Sequence, residues 1–415
     1  MIRIILFCFL FALGAAEAAP REIGDHRWAD VQRIVAIGDL HGDYDNYIET
    51  LRAAGIVDRR DRWDGGNTHL VQTGDIPDRG PDTKKIIEHM ARLARQARRD
   101  GGRVHNLIGN HEAMNVYGDL RYVTEGEFAA FETSRSDVLR QRYLDAVLDD
   151  MSSRDPDRYE ALPDDFRERW NAQRPLGWVE HRQSWSPQWN PDGEMYRWVA
   201  DARVAVQIND AIFVHGGISS HYCKDTLASM TERAQADLAR GNPGDQSILT
   251  DQYGPLWYRG LAGVAPEASS KTVDEILRNH AAGHIVIGHT PTGGFIWPRY
   301  EGRVIQIDTG IASAYGGHVA YLEMTSEGLF AGYKSGKVRL PADDAGREGY
   351  LEKLAGLLPD NAAVAEKLDA LRARSATRHE PHETGDDPRE DAATHERHAQ
   401  PAGTEEATSI CGTRL

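Results

Sequence analysis

Between Arg33 and Leu340 the chain alternates short apolar runs with polar stretches of helical period, the pattern of a layered α/β domain. Apolar runs at 33–37, 69–73, 103–108, 203–208, 211–214, 284–287, 303–307 and 319–324 predict strands. Between the first of these, Tyr44, Tyr47, Ile48 and Leu51 recur on one helical face and stop at Gly55. Ile86, Ile87, Met90 and Leu93 form a second stripe, which ends before Gly101-Gly102.

The stretch from about 115 to 200 breaks this alternation. It begins with Leu139, Tyr143, Val147 and Met151 at every fourth position, then becomes rich in Trp, Arg and Pro. It reads as a helical, Trp-rich insertion in a domain spanning 30–340, packed over one edge as a wall of the site or as a structural cap. Two amphipathic pieces divided at Pro359 follow at 341–374. From 375 to 415 large apolar residues are scarce, too few to offset the entropy of ordering, so disorder is expected. His379, His382, His395 and His398 in this tail read as solvated.

Residues 1–18 follow another pattern: a basic start at Arg3, an apolar run over 4–13, and Ala16-Glu17-Ala18 shaped like a cleavage site. The run is shorter than the ~20 residues that a bilayer span takes. It reads as a signal peptide, with the mature chain periplasmic or secreted. Cleavage would remove Cys8 and leave Cys223 and Cys411, which in an oxidising compartment can pair or stay free. The net charge of −16 argues against a nucleic-acid partner, since phosphate backbones are held by clustered Lys and Arg. A local positive pocket in an acidic protein is still compatible with a phosphorylated substrate.

Candidate chemistry gathers directly after the apolar runs. The segments are Gly38-Asp39-Leu40-His41-Gly42-Asp43, Gly74-Asp75-Ile76-Pro77-Asp78-Arg79-Gly80, Gly109-Asn110-His111-Glu112, His215-Gly216-Gly217 and Gly288-His289-Thr290. Carboxyl ends of strands face the ligand crevice in layered α/β folds, so these segments can converge. Asp39, His41, Asp75, Asn110, His215 and His289 then supply donors for two divalent ions, with one carboxylate shared. Manganese, iron and zinc all suit such donors. Each segment alone is weak, because a Gly-Asp after a strand is often a plain turn; the ordered set is the signal.

That set resembles the phosphoprotein phosphatase branch of the calcineurin-like metallophosphoesterases, over about 34–333. Within it, Gly254-Pro255-Leu256-Trp257-Tyr258-Arg259-Gly260 and Gly288-His289-Thr290 are most similar to the Shewanella-like phosphatases. The resemblance implies a four-layer αββα sandwich with the site at one end of the sheets. Asp39, His41 and Asp75 would hold one metal, and Asp75, Asn110, His215 and His289 the other. His111 would be the general acid, oriented by Asp78, while Arg79, Arg259 and Asn110 would hold phosphate oxygens. The chemistry agrees: an imidazole beside a carboxylate is a suitable proton donor, and guanidinium matches phosphate geometry. Glu112 reads as a partner for an arginine rather than a ligand, and Asp308-Thr309-Gly310 with Tyr315-Gly316-Gly317 as a lining of the site in which Asp308 and Tyr315 are plain turn residues. Relatives that end in Gly-His-x-His carry a further ligand where this chain has Pro291.

The expected activity is a two-metal phosphomonoesterase in which water activated between the ions attacks a phosphorylated protein, on tyrosine or serine/threonine, or a smaller ester. One alternative is a hydrolase of diadenosine polyphosphates or nucleotides, which shares the first motifs. Another, of a different class, is a non-catalytic periplasmic metal-binding protein, whose signature would be loss of His111, Asp78 or Arg79. Docking through the tail and insertion is compatible with either.

Overall fold

The computed structural model describes residues 20–24, 26–265, 267–378 and 411. The signal-peptide expectation and nearly all of the tail lie outside these residues. Among them, two sheets carry the fold. The six-stranded sheet runs β13-β12-β11-β3-β4-β5, from β3 (Arg33–Ile37), β4 (His69–Gln72), β5 (Arg103–Asn106), β11 (Ala320–Thr325), β12 (Gly328–Tyr333) and β13 (Gly336–Arg339). The seven-stranded sheet runs β1-β2-β6-β7-β8-β10-β9. Its strands are β1 (Arg21–Gly24), β2 (Arg27–Ala29), β6 (Ala205–Ile208), β7 (Ala211–Val214), β8 (His284–Ile287), β9 (Trp297–Arg299) and β10 (Val304–Gln306). Each sheet contains a parallel trio, β3-β4-β5 in one and β7-β8-β10 in the other.

Alternation along the strands builds the layers. Ile34, Ala36 and Val71 point inward to meet Val206, Phe213, Val286 and Ile305 in one core between the sheets. Their neighbours Val35, Ile37 and Leu70, and on the other sheet Ile212, Val214 and Ile285, join the core under the helices. Helices α1 (Tyr44–Ala53) and α2 (Thr83–Arg99) bury Tyr47, Leu51, Ile86 and Met90 there. Helices α10 (Leu227–Arg240) and α11 (Ser270–His280) bury Met230, Leu238, Val273 and Ile276. This is a mixed α/β sandwich of two sheets with helices outside.

The segment after β5 is helical throughout: α3 (Asn110–Tyr117), α4 (Glu125–Ala129), α5 (Ser136–Arg154), α6 (Pro156–Glu160), α7 (Phe166–Gln173), α8 (Trp178–Trp185) and α9 (Glu194–Asp201). In α5 the buried apolar residues are Leu144 and Leu148, so the inward face is centred beside the Leu139-Tyr143-Val147-Met151 stripe. Trp185 is fully buried, and Tyr143, Trp178 and Trp189 pack as an aromatic cluster with ring centroids 4.8–5.6 Å apart. Helices α12 (Arg347–Leu357) and α13 (Ala362–Arg378) close the far end of the inter-sheet core through Leu351, Leu354 and Val364. Helix α13 continues to Arg378, past the boundary expected at 374. Cys411 is buried in a disulfide with Cys223, their Cα atoms 5.7 Å apart. No helix among the described residues is long and apolar enough to cross a membrane.

Candidate metal centre

The two parallel trios end at the same place. Asp39, Asp75 and Asn110 follow β3, β4 and β5, whereas His215, His289 and Asp308 follow β7, β8 and β10. The sheets approach so closely here that a Cβ on Gly38 would lie 2.6 Å from the Ile307 carbonyl oxygen, which requires glycine. Hydrogen bonds then stitch the trios together. The His289 N–H donates to Asp39 Oδ1 at 3.1 Å, and His215 Nδ1 lies 2.9 Å from the Thr73 carbonyl.

That second bond fixes a tautomer. A carbonyl only accepts, so His215 Nδ1 carries the proton and Nε2 of the neutral ring is a lone pair. It faces Asn110 Oδ1 at 3.0 Å, His289 Nδ1 at 3.1 Å and Asp75 Oδ2 at 3.2 Å. His41 is set in the same way: Nδ1 lies 3.1 Å from the Pro77 carbonyl, and Nε2 faces Asp39 Oδ2 at 3.9 Å and Asp75 Oδ2 at 4.0 Å. His289 Nε2 is buried without a hydrogen-bond partner. Converging acceptors with no proton between them are what cations satisfy.

At the strand ends, two groups of three donor atoms each lie within 4.8 Å of one another: His41, Asp75 and His111, and Asp75, His215 and His289. Asp75 belongs to both. Asp39 and Asn110 belong to neither group but adjoin them, at His41 Nε2 and His215 Nε2, so the expected six side chains lie together. His111 enters the first group as well, with Nε2 3.9 Å from Asp75 Oδ2. The donors fit a pair of divalent ions.

Electrostatics agrees with that fit. Burial, with Asp308 and Asp75 nearby, pushes the Asp39 carboxyl well up. Burial also pushes Asp308 up to about 6, although its Oδ1 accepts the Gly310 N–H. For Asp75 burial again acts upward, but His215, His111 and His41 outweigh it and hold the carboxyl well below the usual range. Burial lowers His41 to about 4 and takes His289 well down, so both imidazoles stay neutral and able to ligate.

Around this centre stand the other expected residues. His111 Nδ1 is hydrogen-bonded to Asp78 Oδ2, and the Asn115 amide donates to Asp78 Oδ1 at 3.0 Å. Burial acts to lower the His111 pKa, but Asp75 and the Asp78 bond prevail and raise it. Asp78 and Arg79 are consecutive non-glycine residues at φ 75° and 67°, a left-handed pair that costs on the order of 1–3 kcal/mol per residue. The Arg79 guanidinium sits 4.0 Å over the Tyr122 ring and 5.9 Å from Tyr315. A cavity of about 360 Å³ opens here, lined by His41, Arg79, Asp43 and Ser313. Arg259 Nη1 donates to the His289 carbonyl at 2.7 Å and to Thr290 Oγ1 at 3.1 Å, which places it beside the second group.

Three expectations change. Glu112 is not paired with an arginine: its carboxylate accepts the N–H groups of Asp75 (2.9 Å), Ile76 (2.8 Å) and Gly109 (2.8 Å) and so ties two ligand loops together. Burial and Asp75 push its pKa up to about 7. Asp308 is a buried acid against Asp39, not a plain turn residue; its place after β10 repeats the strand-end position of Asp39 and Asp75 and was the available signal. Tyr315 packs on His41, with ring centroids 5.1 Å apart. Tyr122, Asn115 and Glu127 carried no comparable sequence mark.

Residues 32–293 match the model of the calcineurin-like phosphoesterase family. The chain belongs to that family. This calcineurin-like phosphoesterase is 31% identical over 302 residues to the uncharacterized protein C1840.07c of Schizosaccharomyces pombe, covering 70% of this chain and 77% of that one. It is 29% identical to Shewanella-like protein phosphatase 2 of Arabidopsis thaliana, covering 71% and 75%. Among solved structures it is similar to the cold-active protein-tyrosine phosphatase of a psychrophilic Shewanella species, with 27% identity, a TM-score of 0.57, and 77% of this chain and 82% of that chain covered. The phosphoesterase is thus a hydrolase with Shewanella-like phosphatases among its relatives, and its His/Asp groups suit a dinuclear metal centre.

Proposed function

We propose that the chain is a two-metal phosphomonoesterase acting on phosphorylated proteins, with phosphotyrosine as the first substrate class. The carrying observation is the Asp75 carboxylate, common to two donor groups that together include four imidazoles. Asp39, His41 and Asp75 would hold one ion, and Asp75, Asn110, His215 and His289 the other. Two divalent ions there would supply Lewis acidity to phosphoryl oxygens and lower the pKa of water. Manganese, iron and zinc all suit these donors.

The chain's own residues do the rest. Arg79 lies beside the first group and Arg259 beside the second, and both can hold phosphate oxygens through paired N–H donors, with help from Asn110. His111 has Nδ1 committed to Asp78, which leaves Nε2 to protonate the departing oxygen. Against the effect of burial, Asp75 and the Asp78 bond raise its pKa, and that favours the protonated form a donor needs. The phosphotyrosine preference is supported by the likeness to the Shewanella enzyme, itself a protein-tyrosine phosphatase. Export to the periplasm or beyond is supported by the Cys223–Cys411 disulfide, a bond typical of oxidising compartments.

The test is a substrate panel with added manganese, iron or zinc: phosphotyrosine peptide, phosphoserine peptide and a dinucleoside polyphosphate, each before and after chelation. Metal-dependent release of phosphate from a phosphopeptide is expected. Turnover of the dinucleoside polyphosphate alone, or the same rates in the Asp75→Asn protein, would overturn the proposal.

A further inference from the structure

Asp78 and Arg79 lie in an unfavourable backbone region, so something must hold them. Neither N–H is satisfied within the two sheets or their ligand loops. The Asp78 N–H donates to Glu127 Oε2 at 3.1 Å, and the Arg79 N–H to the Tyr122 carbonyl at 3.0 Å. Both acceptors belong to the segment that opens the helical insertion. Helix α4 is locked to this turn at further points. Thr124, its N-cap, accepts the Glu127 N–H at 3.2 Å and donates its hydroxyl to the Gly80 carbonyl at 3.4 Å. Gly126 lies so close to Pro81 that a Cβ there would sit 2.7 Å from the proline ring carbon.

Glu127 is fully buried, which is rare for an acid without a charged partner. Its Oε2 is spent on the Asp78 N–H, and its Oε1, near the Thr83 hydroxyl, makes no well-formed hydrogen bond. Such a burial is costly, and its result is an acceptor fixed behind the turn that carries both the acid dyad and the phosphate grip.

We propose that Glu127 is a positioning residue: through the Asp78 N–H it holds the left-handed Asp78–Arg79 pair, and so sets the His111–Asp78 bond and the reach of Arg79 together. The inference rests on the phosphatase reading above. It also assigns the insertion a part in catalysis, as the element that fastens a strained turn. Without the acceptor, Asp78 relaxes toward a negative φ, its carboxylate swings off His111, and Arg79 leaves the stack on Tyr122.

The test compares Glu127→Leu, which roughly keeps volume and removes the acceptor, with Glu127→Gln, whose amide oxygen can still accept. Burial and Asp78 push the Glu127 carboxyl well up, so the neutral amide is a fair mimic. In Glu127→Leu, kcat on a phosphate monoester should fall about 10- to 100-fold, as small misplacements of reacting groups do. The same variant should bind inorganic phosphate several-fold more weakly in calorimetry, and the imidazole nitrogen shifts of His111 should lose the mark of the Asp78 bond. Glu127→Gln should restore most of all three. A folded Glu127→Leu protein with unchanged kcat, phosphate affinity and His111 shifts would overturn the proposal, as would a Glu127→Gln protein as impaired as Glu127→Leu. If Glu127→Leu does not fold, amide exchange in the wild type decides: the Asp78 N–H should be strongly protected, and fast exchange overturns the tether. A wild type without phosphatase activity would defeat the functional reading alone, since phosphate affinity, His111 shifts and Asp78 exchange still test the tether.

Discussion

Oδ2 of Asp75 lies 3.2 Å from Nε2 of His215, although β4 and β7, which deliver them, belong to different sheets. Two acceptors at that distance, with Asn110 Oδ1 beside them, need a cation or a proton. Asp75→Asn should therefore cost at least on the order of 100-fold in kcat, since even partners behind the ligands are worth 10- to 100-fold in metal affinity. Elemental analysis should show reduced occupancy of both metals, because both groups contain Asp75. A variant with full metal content and full turnover would contradict the shared role.

Chelation is expected to act on stability as well as on rate. Burial pushes up both Asp39, beside Asp308 and Asp75, and Asp308, beside Asp75, a sign of negative charge that the folded protein holds at a cost. Ligands that bind only the folded state add RT ln(1 + [L]/Kd), about 2.7 kcal/mol at a hundredfold excess over Kd. Removing the ions should lower the melting temperature, and manganese or zinc should raise it again. Thermal scans with and without chelator check this.

Loss of the proton donor should depend on the leaving group. His111→Asn is predicted to reduce kcat by about 10²- to 10⁴-fold for an alkyl phosphate, the usual range for a general acid. A nitrophenyl phosphate, whose leaving group departs without a proton, should be affected far less. Equal losses on both substrates would place His111 elsewhere in the chemistry.

His181 gives a pH prediction outside the metal centre. It is fully buried between Phe128 and Phe131, both ring nitrogens lack hydrogen-bond partners, and burial lowers its pKa to about 3. The ordinary value of 6.5 applies to the unfolded chain, so below it the unfolded state binds the extra proton. The stability contribution is complete above pH 6.5 and is lost as pH falls toward 3, at up to about 1.4 kcal/mol per pH unit. Urea unfolding between about pH 7 and 4 should show this slope. His181→Phe should reduce it while leaving part, since burial also takes His41 and His69 to about 4.

Much of the metal centre was legible because each ligand directly follows an apolar run, and that pattern survives in sequence. The strands at 33–37, 211–214 and 284–287 coincide with β3, β7 and β8. Less visible were the edge strands: β1 is exposed at every position, and β9 holds only three residues with Pro298 in the middle. Neither has a buried face long enough to leave a period. Strand β13 was missed for the same reason, since it is mostly exposed. Glu127 meets the site through the Asp78 backbone N–H, and Tyr122 through its own carbonyl and a ring under Arg79, contacts made across the fold that leave no periodic pattern to read. The pairing of Cys223 with Cys411 likewise needed coordinates, because spacing alone does not choose between free and paired thiols.

The centre draws its donors from both sheets, so any ion seated there acts as a clasp on the open lip of the sandwich. Substitutions deep between the sheets, at Val71 or Phe213 for instance, should then be felt first as leaking metal, well before the protein melts. Metal retention would serve as the most sensitive gauge of how tightly the two halves are shut.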